Sequence, residues 1–458
     1  MKISKIKEEV LKKIRPSQNE IKKVDNFLLN LKEVAEIFSS PYNGKPMICG
    51  SMGKGTWINK DYDIDLFIIF PRNMPREKLG KIGLKIGKEI IEEFKGEWTV
   101  KYAEHPYVRG KIKTFSIDIV PCYKMMPGEK IKSAVDRSPL HSTYMIKKLN
   151  KEKIDEVRLL KKFFKSLKIY GSDTKTEGIS GYILEILVSK FGTFEKVLKF
   201  FSKAKFGEIV DVENYWNGKL PKKIKMKYPL IVIDPIDKYR NASAALSSQN
   251  FYLIKKYSEQ FIKKPDKKFF FLKEKPLSKR EIQQLIGRHT YFIGILSKRP
   301  DIVDDTIYPQ MRRTAIRIKS IFERYNFNVI RKFSWANEKK MLILFEIENK
   351  VLPNIEKRYG PEIFSYVHSR QFINKYKKDK IYIEGNRWVV EKKRDFTNPK
   401  DLINKILSLD TKKLMEIGIA SHIAESFSNA NVLYEEKLWK FIKRNLSSDI
   451  RTFYFGIL

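Results

Sequence analysis

The sequence predicts a multidomain α+β protein: an α/β head, a helical middle, and two later segments of mixed character. Three observations carry this. The chain has 458 residues, long enough for about two to four domains with a substantial core in each. Between positions 46 and 121, short apolar runs of strand type alternate with one amphipathic helical stretch. After Pro139 the periodicity turns helical, punctuated by Gly171, Gly178 and Gly192.

Taken in order, residues 1–38 read as helix, with Ile6, Val10 and Ile14, then Val24, Phe27, Leu28 and Leu31, at helical spacing. Strands are expected at 46–49, 63–70, 98–102 and 113–120, with a helix at 78–94 between the second and third. Helices follow at 154–168, 179–191 and 193–204. A short apolar run spans 229–235, and 240–246 reads as the start of another helix. Beyond KKFFFLKEK, which Pro265 and Pro276 flank, a helix is expected at 311–325 and a strand at 341–348. The stretch KIYIEGNRWVVEKK (380–393) is strand-like, and several helices complete the chain. These shifts suggest divisions at 1–150, 151–257, 258–350 and 351–458.

Composition narrows the function classes. An apolar share of 42%, with 13% aromatic, is that of a folded chain. No apolar run reaches the ~18 residues of a membrane span. The opening MKISKIKEEVLKKI is charged throughout and lacks the apolar centre of a signal peptide, so a cytoplasmic, soluble protein is expected. Cys49 and Cys122 both lie in apolar, strand-like surroundings and read as reduced core residues. Ninety-two basic residues against 54 acidic ones give a net charge of +38. Self-repulsion on that scale favours a polyanionic partner, and nucleic acid leads. A solvated lysine-rich surface is the alternative reading; an anionic membrane is disfavoured because no basic amphipathic segment dominates.

The chemistry is densest in GSMGKGTWINKDYDIDLFIIFP, residues 50–71. Asp63 and Asp65 open an apolar strand and, two apart, share one face at roughly 6 to 7 Å. Two carboxylates so close repel unless a cation lies between them or one is protonated. Mg²⁺ answers this economically, because it takes paired carboxylates together with phosphate oxygens and water. A third acid, Asp118, stands in the apolar TFSIDIVPCY, where an isolated carboxylate is costly to bury. If the two strands are neighbours, three carboxylates can hold two metals for an in-line attack on phosphorus. The structural alternative is that Asp63 caps a turn and Asp118 meets an arginine. Gly50, Ser51, Gly53 and Gly55 allow backbone N–H groups, the Ser51 hydroxyl and the Lys54 ammonium to approach a phosphate, although no Walker loop is present. On the helix near 154–168, Lys161 borders the buried stripe of Val157, Leu160, Phe164 and Leu167, as a snorkelling lysine or a ligand contact. Tyr170 reaches the same ligand only if that helix ends before it.

GS…T…DID followed by a distant single Asp resembles the DNA polymerase β-type nucleotidyltransferase superfamily. More narrowly, SAVDRSPLH (133–141), EVRLLKKFFKSLKIYGSD (156–173), GISGYILEIL (178–187) and DPIDKYRNASAAL (234–246) resemble the archaeal (class I) CCA-adding enzymes, the tRNA nucleotidyltransferases. The resemblance spans nearly the whole chain. It implies a polymerase β-like head of mixed sheet plus helices, a helical neck completing the nucleotide pocket, an α/β body and a tRNA-binding tail. It implies that Asp63, Asp65 and Asp118 are the catalytic, metal-binding carboxylates for two Mg²⁺ ions. Gly50, Ser51 and Lys54 match triphosphate contacts, with Lys54 departing from the arginine of some relatives and so offering a point charge in place of a fork. Ser138 (Thr elsewhere), His141, Lys161, Tyr170 and Arg240 match further nucleotide contacts. The implied substrates are ATP, CTP and tRNA, gripped at acceptor stem and elbow, and the activity is addition or repair of the 3′-terminal CCA. A homodimer is left open. A poly(A) polymerase, a small-molecule nucleotidyltransferase and a non-catalytic RNA-binding protein are the competing readings.

Overall fold

The structure, a computed structural model, describes residues 3–457 except 103–104, 127–128, 130, 218 and 221–226. It divides into two compact units, Met1–Lys273 and Glu274–Ile457. Among the described residues no helix is long and apolar enough to cross a membrane.

The first unit opens with two helices, α1 (Ile3–Ile14) and α2 (Gln18–Ser39), where the sequence suggested one. Pro16 has no N–H for a continuing helix, and Ser17 starts a new one through a reciprocal capping box with Glu20. A five-stranded sheet follows, built from β1 (Lys45–Cys49), β2 (Asp63–Phe70), β3 (Glu97–Tyr102), β4 (Pro106–Ile112) and β5 (Phe115–Tyr123) in the order β1-β2-β5-β4-β3. Only β2 and β5 run parallel. The one-turn α3 (Gly50–Gly53) leads out of β1, and α4 (Arg76–Glu93) crosses between β2 and β3. Strand β4 was not foreseen, since Pro106 and Gly110 blunt its alternation. Gly110 is nonetheless needed there: a Cβ on it would lie 2.2 Å from Ile91 Cδ1. The strand expected at 113–120 starts later because Lys113, at φ 53°, turns the β4–β5 hairpin.

Strand alternation assigns the two faces of this sheet. Ile64, Leu66, Ile68 and Phe70 point into a core shared with Val24 and Leu31 of α2 and Ile86 and Ile90 of α4. Each such fully buried side chain contributes about 1.5–3 kcal/mol. Asp63, Asp65, Phe67 and Ile69 consequently face away from those helices. Cys49 and Cys122 pack beside Phe67 on that side, buried and free, as expected.

The helices α5 (Arg137–Lys148), which packs against β1, α6 (Lys151–Ser166), α7 (Gly181–Phe191) and α8 (Phe194–Lys203) continue the unit. A small sheet of β6 (Glu208–Val210), β7 (Leu230–Asp234) and β8 (Asp237–Asn241) follows, and then a helix, Ser248–Lys263. The helix expected to start at 240 is thus a strand and a turn. Asn241 and Ser243 direct their side chains to the backbone of Leu230 and Val232, which ties the segment to β7. Helix begins only once Ser247 caps it by accepting from the Asn250 N–H.

The second unit contains β9 (Tyr291–Lys298), β10 (Val329–Ala336) and β11 (Lys340–Ile347), with helix Asp304–Arg324 packed on them. A separate three-stranded sheet joins β12 (Ile355–Glu362), β13 (Lys380–Glu384) and β14 (Arg387–Lys393). The last strand, β15 (Asn431–Tyr434), returns to the edge beside β9, so the first sheet reads β10-β11-β9-β15.

Candidate active site

The parallel register of β2 and β5 sets Asp65 beside Asp118 and Asp63 beside Ser116. Paired residues of parallel strands project to the same side, so all three predicted carboxylates share the face away from α2 and α4. Gly50, at φ 61°, lies against Asp65 so closely that a Cβ there would come within 1.7 Å of Oδ2. Burial, with the charges of Asp118 and Asp63 added, pushes the Asp65 carboxyl up to about 6. Burial and the neighbouring Asp61 likewise push Asp63 upward. Asp118 is engaged by Arg109 of β4, whose Nε and Nη2 donate to Oδ1 and Oδ2, each at 2.6 Å. That is the arginine partner the sequence left open as the structural alternative. As the side chains stand, no group of three or more His, Cys, Asp or Glu among the described residues could hold a metal ion. The donor set itself still fits a divalent cation: acids on adjacent strands, two of them reluctant to ionise beside the third, and one already neutralised by a guanidinium.

The glycine-rich stretch is fixed from the helical side. Arg158 of α6 donates from Nε to Trp57 O at 2.9 Å and from Nη2 to Gly55 O at 2.6 Å. Lys161, one turn on, donates to Thr56 O at 3.1 Å and Oγ1 at 3.0 Å. Glu185 of α7, 1% exposed, accepts from Lys54 Nζ at 2.5 Å and from Thr56 Oγ1 at 2.9 Å. Burial lowers the Lys161 ammonium to about 8, with Glu185 opposing the fall. Two lysines of the predicted site therefore flank one buried carboxylate.

A second buried acid organises the other wall. Asp234, at the end of β7 and 0% exposed, meets His141 Nε2 at 2.9 Å, Tyr182 Oη at 2.9 Å, Arg240 Nη1 at 2.7 Å and the Ile236 N–H at 3.0 Å. Burial alone would raise its pKa; the bonds from His141 and Ile236 and the Arg240 charge outweigh it and hold the carboxyl well below the usual range. His141 is lowered in turn, chiefly by burial, and its ring stacks on Tyr182 at 3.9 Å.

These groups surround a cavity of about 370 Å³. Gly50, Ser51, Lys54, Asp63 and Asp65 line it from the head, Ser138, His141 and Lys161 from the helices, and Tyr170 from the segment after α6. Asp118 and Arg240 do not line it: Asp118 is the strand neighbour of the lining Asp65, and Arg240 pairs with Asp234, which is bonded to the lining His141 and Tyr182. Helix α6 ends at Ser166, before Tyr170, which meets the condition for Lys161 and Tyr170 to share a ligand. Both press on Gly181, where a Cβ would lie 2.7 Å from Tyr170 Oη and 3.2 Å from Lys161 Cε. Glu185, Asp234, Tyr182 and Arg109 were missed. Glu185 in GYILEILV and Asp234 closing LIVID are lone acids in apolar runs, the same signal that singled out Asp118.

The sequence matches the nucleotidyltransferase domain family over residues 31–141 and the second domain of tRNA nucleotidyltransferases over 155–271. Residues 288–434 match the C-terminal domain of CCA-adding enzymes. The CCA-adding enzyme of Methanocaldococcus jannaschii is 35% identical over 92% of this chain and 94% of its own length. The chain belongs to the CCA-adding enzyme family. CCA-adding enzymes of Picrophilus torridus, 39% identical over 85% of this chain and 86% of theirs, and of Pyrococcus abyssi, 37% over 84% and 85%, agree with the assignment. Membership accounts for the multidomain α+β architecture with a nucleotidyltransferase head, and the family's relatives are archaeal, as the resemblance implied.

Proposed function

We propose that this CCA-adding enzyme extends or repairs the 3′ end of tRNA to CCA from CTP and ATP, releasing pyrophosphate, with its chemistry at the Asp63–Asp65–Asp118 face. The observation that carries the reading is the register pairing of Asp65 with Asp118 beside a cavity walled by buried lysines. The cavity volume falls within the ~300–1,000 Å³ of small-molecule sites.

Lys54 and Lys161 would offer two ammonium groups, and Ser51 a hydroxyl, to the triphosphate of the incoming nucleotide, a reading supported by the cavity they line. Gly50 leaves Asp65 the room a side chain would deny it. Asp63, Asp65 and Asp118 would hold two Mg²⁺ ions. Mg²⁺ bound there supplies charge neutralisation for the triphosphate and activation of the primer 3′-hydroxyl. Arg109 must give up at least one oxygen of Asp118 for that carboxylate to act as a ligand. Ser138, His141, Tyr170 and Arg240 would orient the nucleoside, so positioning and charge neutralisation account for the catalysis without a covalent intermediate.

The net charge of +38 suits tRNA as the partner. Shape and phosphate contacts by the later domains, divided at about 258 and 351, would grip the acceptor stem and elbow. Gel-resolved incorporation into tRNAs lacking the 3′ CCA tests the reading: CTP alone adds the two cytidines and stops, and CTP with ATP completes CCA. Unlimited addition of A, or no incorporation, would overturn it.

A further inference from the structure

Tyr182 Oη, the Ile236 N–H and Arg240 Nη1 all donate to Asp234, and with the Arg240 charge they keep its carboxylate ionised. An ionised carboxylate only accepts hydrogen bonds. The contact at 2.9 Å to His141 therefore requires the imidazole proton on Nε2. In the neutral ring Nδ1 is then an acceptor. Among the described residues Nδ1 has no hydrogen-bond partner, and it is not one of the buried unpaired atoms. His141 lines the cavity, and stacking on Tyr182 at 3.9 Å and 24° fixes the ring plane. Tyr182 is itself tied to Asp234, and so is Arg240. One carboxylate, 0% exposed, thus sets the tautomer of His141, the platform beneath it and the guanidinium alongside.

We propose that Asp234 is a positioning residue that holds His141 in the Nε2–H tautomer, presenting Nδ1 as an acceptor for a hydrogen-bond donor of the incoming nucleoside. This rests on the nucleotide occupying the cavity. The donor is either a ribose hydroxyl or the exocyclic amino group that cytosine and adenine carry and uracil lacks. His141 would make the contact, and Asp234 would act only through it and through Arg240.

The test uses the full chain labelled with ¹⁵N-histidine, whose five histidines keep the spectrum simple. Wild-type His141 is expected as Nε2–H, its signals identified by their loss in His141→Phe. In Asp234→Asn the side-chain amide can donate to Nε2, and a shift of the ring toward Nδ1–H is expected. The KM for CTP and ATP should rise at least about tenfold in that variant while the KM for tRNA stays within about twofold. An Nδ1–H tautomer in the wild type overturns the proposal even if Asp234→Asn does not fold. So does a folded Asp234→Asn with unchanged tautomer and nucleotide KM. Two substrate arms identify the donor: if it is the ribose 2′-hydroxyl, His141→Phe abolishes the penalty for 2′-deoxy-CTP relative to CTP. If it is the amino group, the penalty for UTP relative to CTP shrinks instead. A His141→Phe enzyme that retains both penalties in full contradicts the acceptor role. Loss of all incorporation by the wild type would condemn the activity reading separately, since the tautomer is read without turnover.

Discussion

Arg109 and Asp118 face each other across β4 and β5 and share two parallel contacts, Nε to Oδ1 and Nη2 to Oδ2, both 2.6 Å. A guanidinium thus occupies both oxygens of the carboxylate expected to bind metal. Removing it should favour the ion. Arg109→Gln is expected to bind Mn²⁺ several-fold more tightly than the wild type in an electron paramagnetic resonance titration, a modest gain because the arginine is half-exposed. Unchanged or weaker binding would argue that Asp118 is not a ligand.

Asp65 predicts how the metal-free chain responds to pH. Its carboxyl is raised to about 6 in the folded state, against about 3.9 in an unfolded chain. The folded state therefore holds the extra proton between those values, and stability falls as pH rises from about 4 to about 6, the cost persisting above. In chelator, Asp65→Asn should be more stable than wild type by roughly 3 kcal/mol at pH 8, the difference vanishing below about pH 4. Urea unfolding across that range measures it, and a pH-independent difference would contradict the assignment.

Among the described residues Glu185 is the only carboxylate hydrogen-bonded to Lys54, and it offsets the burial of Lys161. Glu185→Ala leaves a buried ammonium without its partner and should cost about 3–5 kcal/mol in thermal or chemical unfolding. Glu185→Gln keeps the shape and loses the charge. Lys161, already lowered to about 8, should then shed its proton at lower pH. Nucleotide affinity, which in the wild type is expected to weaken as pH rises through about 8, should weaken earlier in Glu185→Gln. Coincident pH profiles would remove Lys161 from triphosphate binding.

Gly50→Ala combines an unfavourable φ of 61° with a Cβ 1.7 Å from Asp65 Oδ2. The backbone strain alone is about 1–2 kcal/mol. Displacing the carboxylate by an ångström should lower the rate of C addition by about 10²-fold or more with the fold retained. A folded Gly50→Ala enzyme of near wild-type rate would show that Asp65 need not sit where it does.

The face bearing the three acids was legible because β2 and β5 alternate cleanly, so Asp63, Asp65 and Asp118 stood out against Ile64, Leu66, Ile117 and Ile119. What the acids touch was not legible. Arg109 belongs to β4, whose Pro106 and Gly110 hide a strand that register alone reveals. The segment from Arg240 to Leu246 reads as helix by its alanines, yet Asn241 and Ser243 find better partners in β7. Arg240 was singled out by resemblance and placed on the wrong element. Its contact with Asp234 depends on the turn between β7 and β8, which local propensity does not encode. Glu185 and Asp234 carried the same signal as Asp118, and only their partners distinguish an organising carboxylate from a ligand.

Single-turnover addition of C to a tRNA lacking its CCA, compared for the wild type and for Asp63→Asn, Asp65→Asn and Asp118→Asn, tests the central claim most directly. Each substitution should lower the rate by about 10³-fold or more while the fold persists. Any one of the three retaining near wild-type rate would contradict a reaction carried by the shared face of β2 and β5.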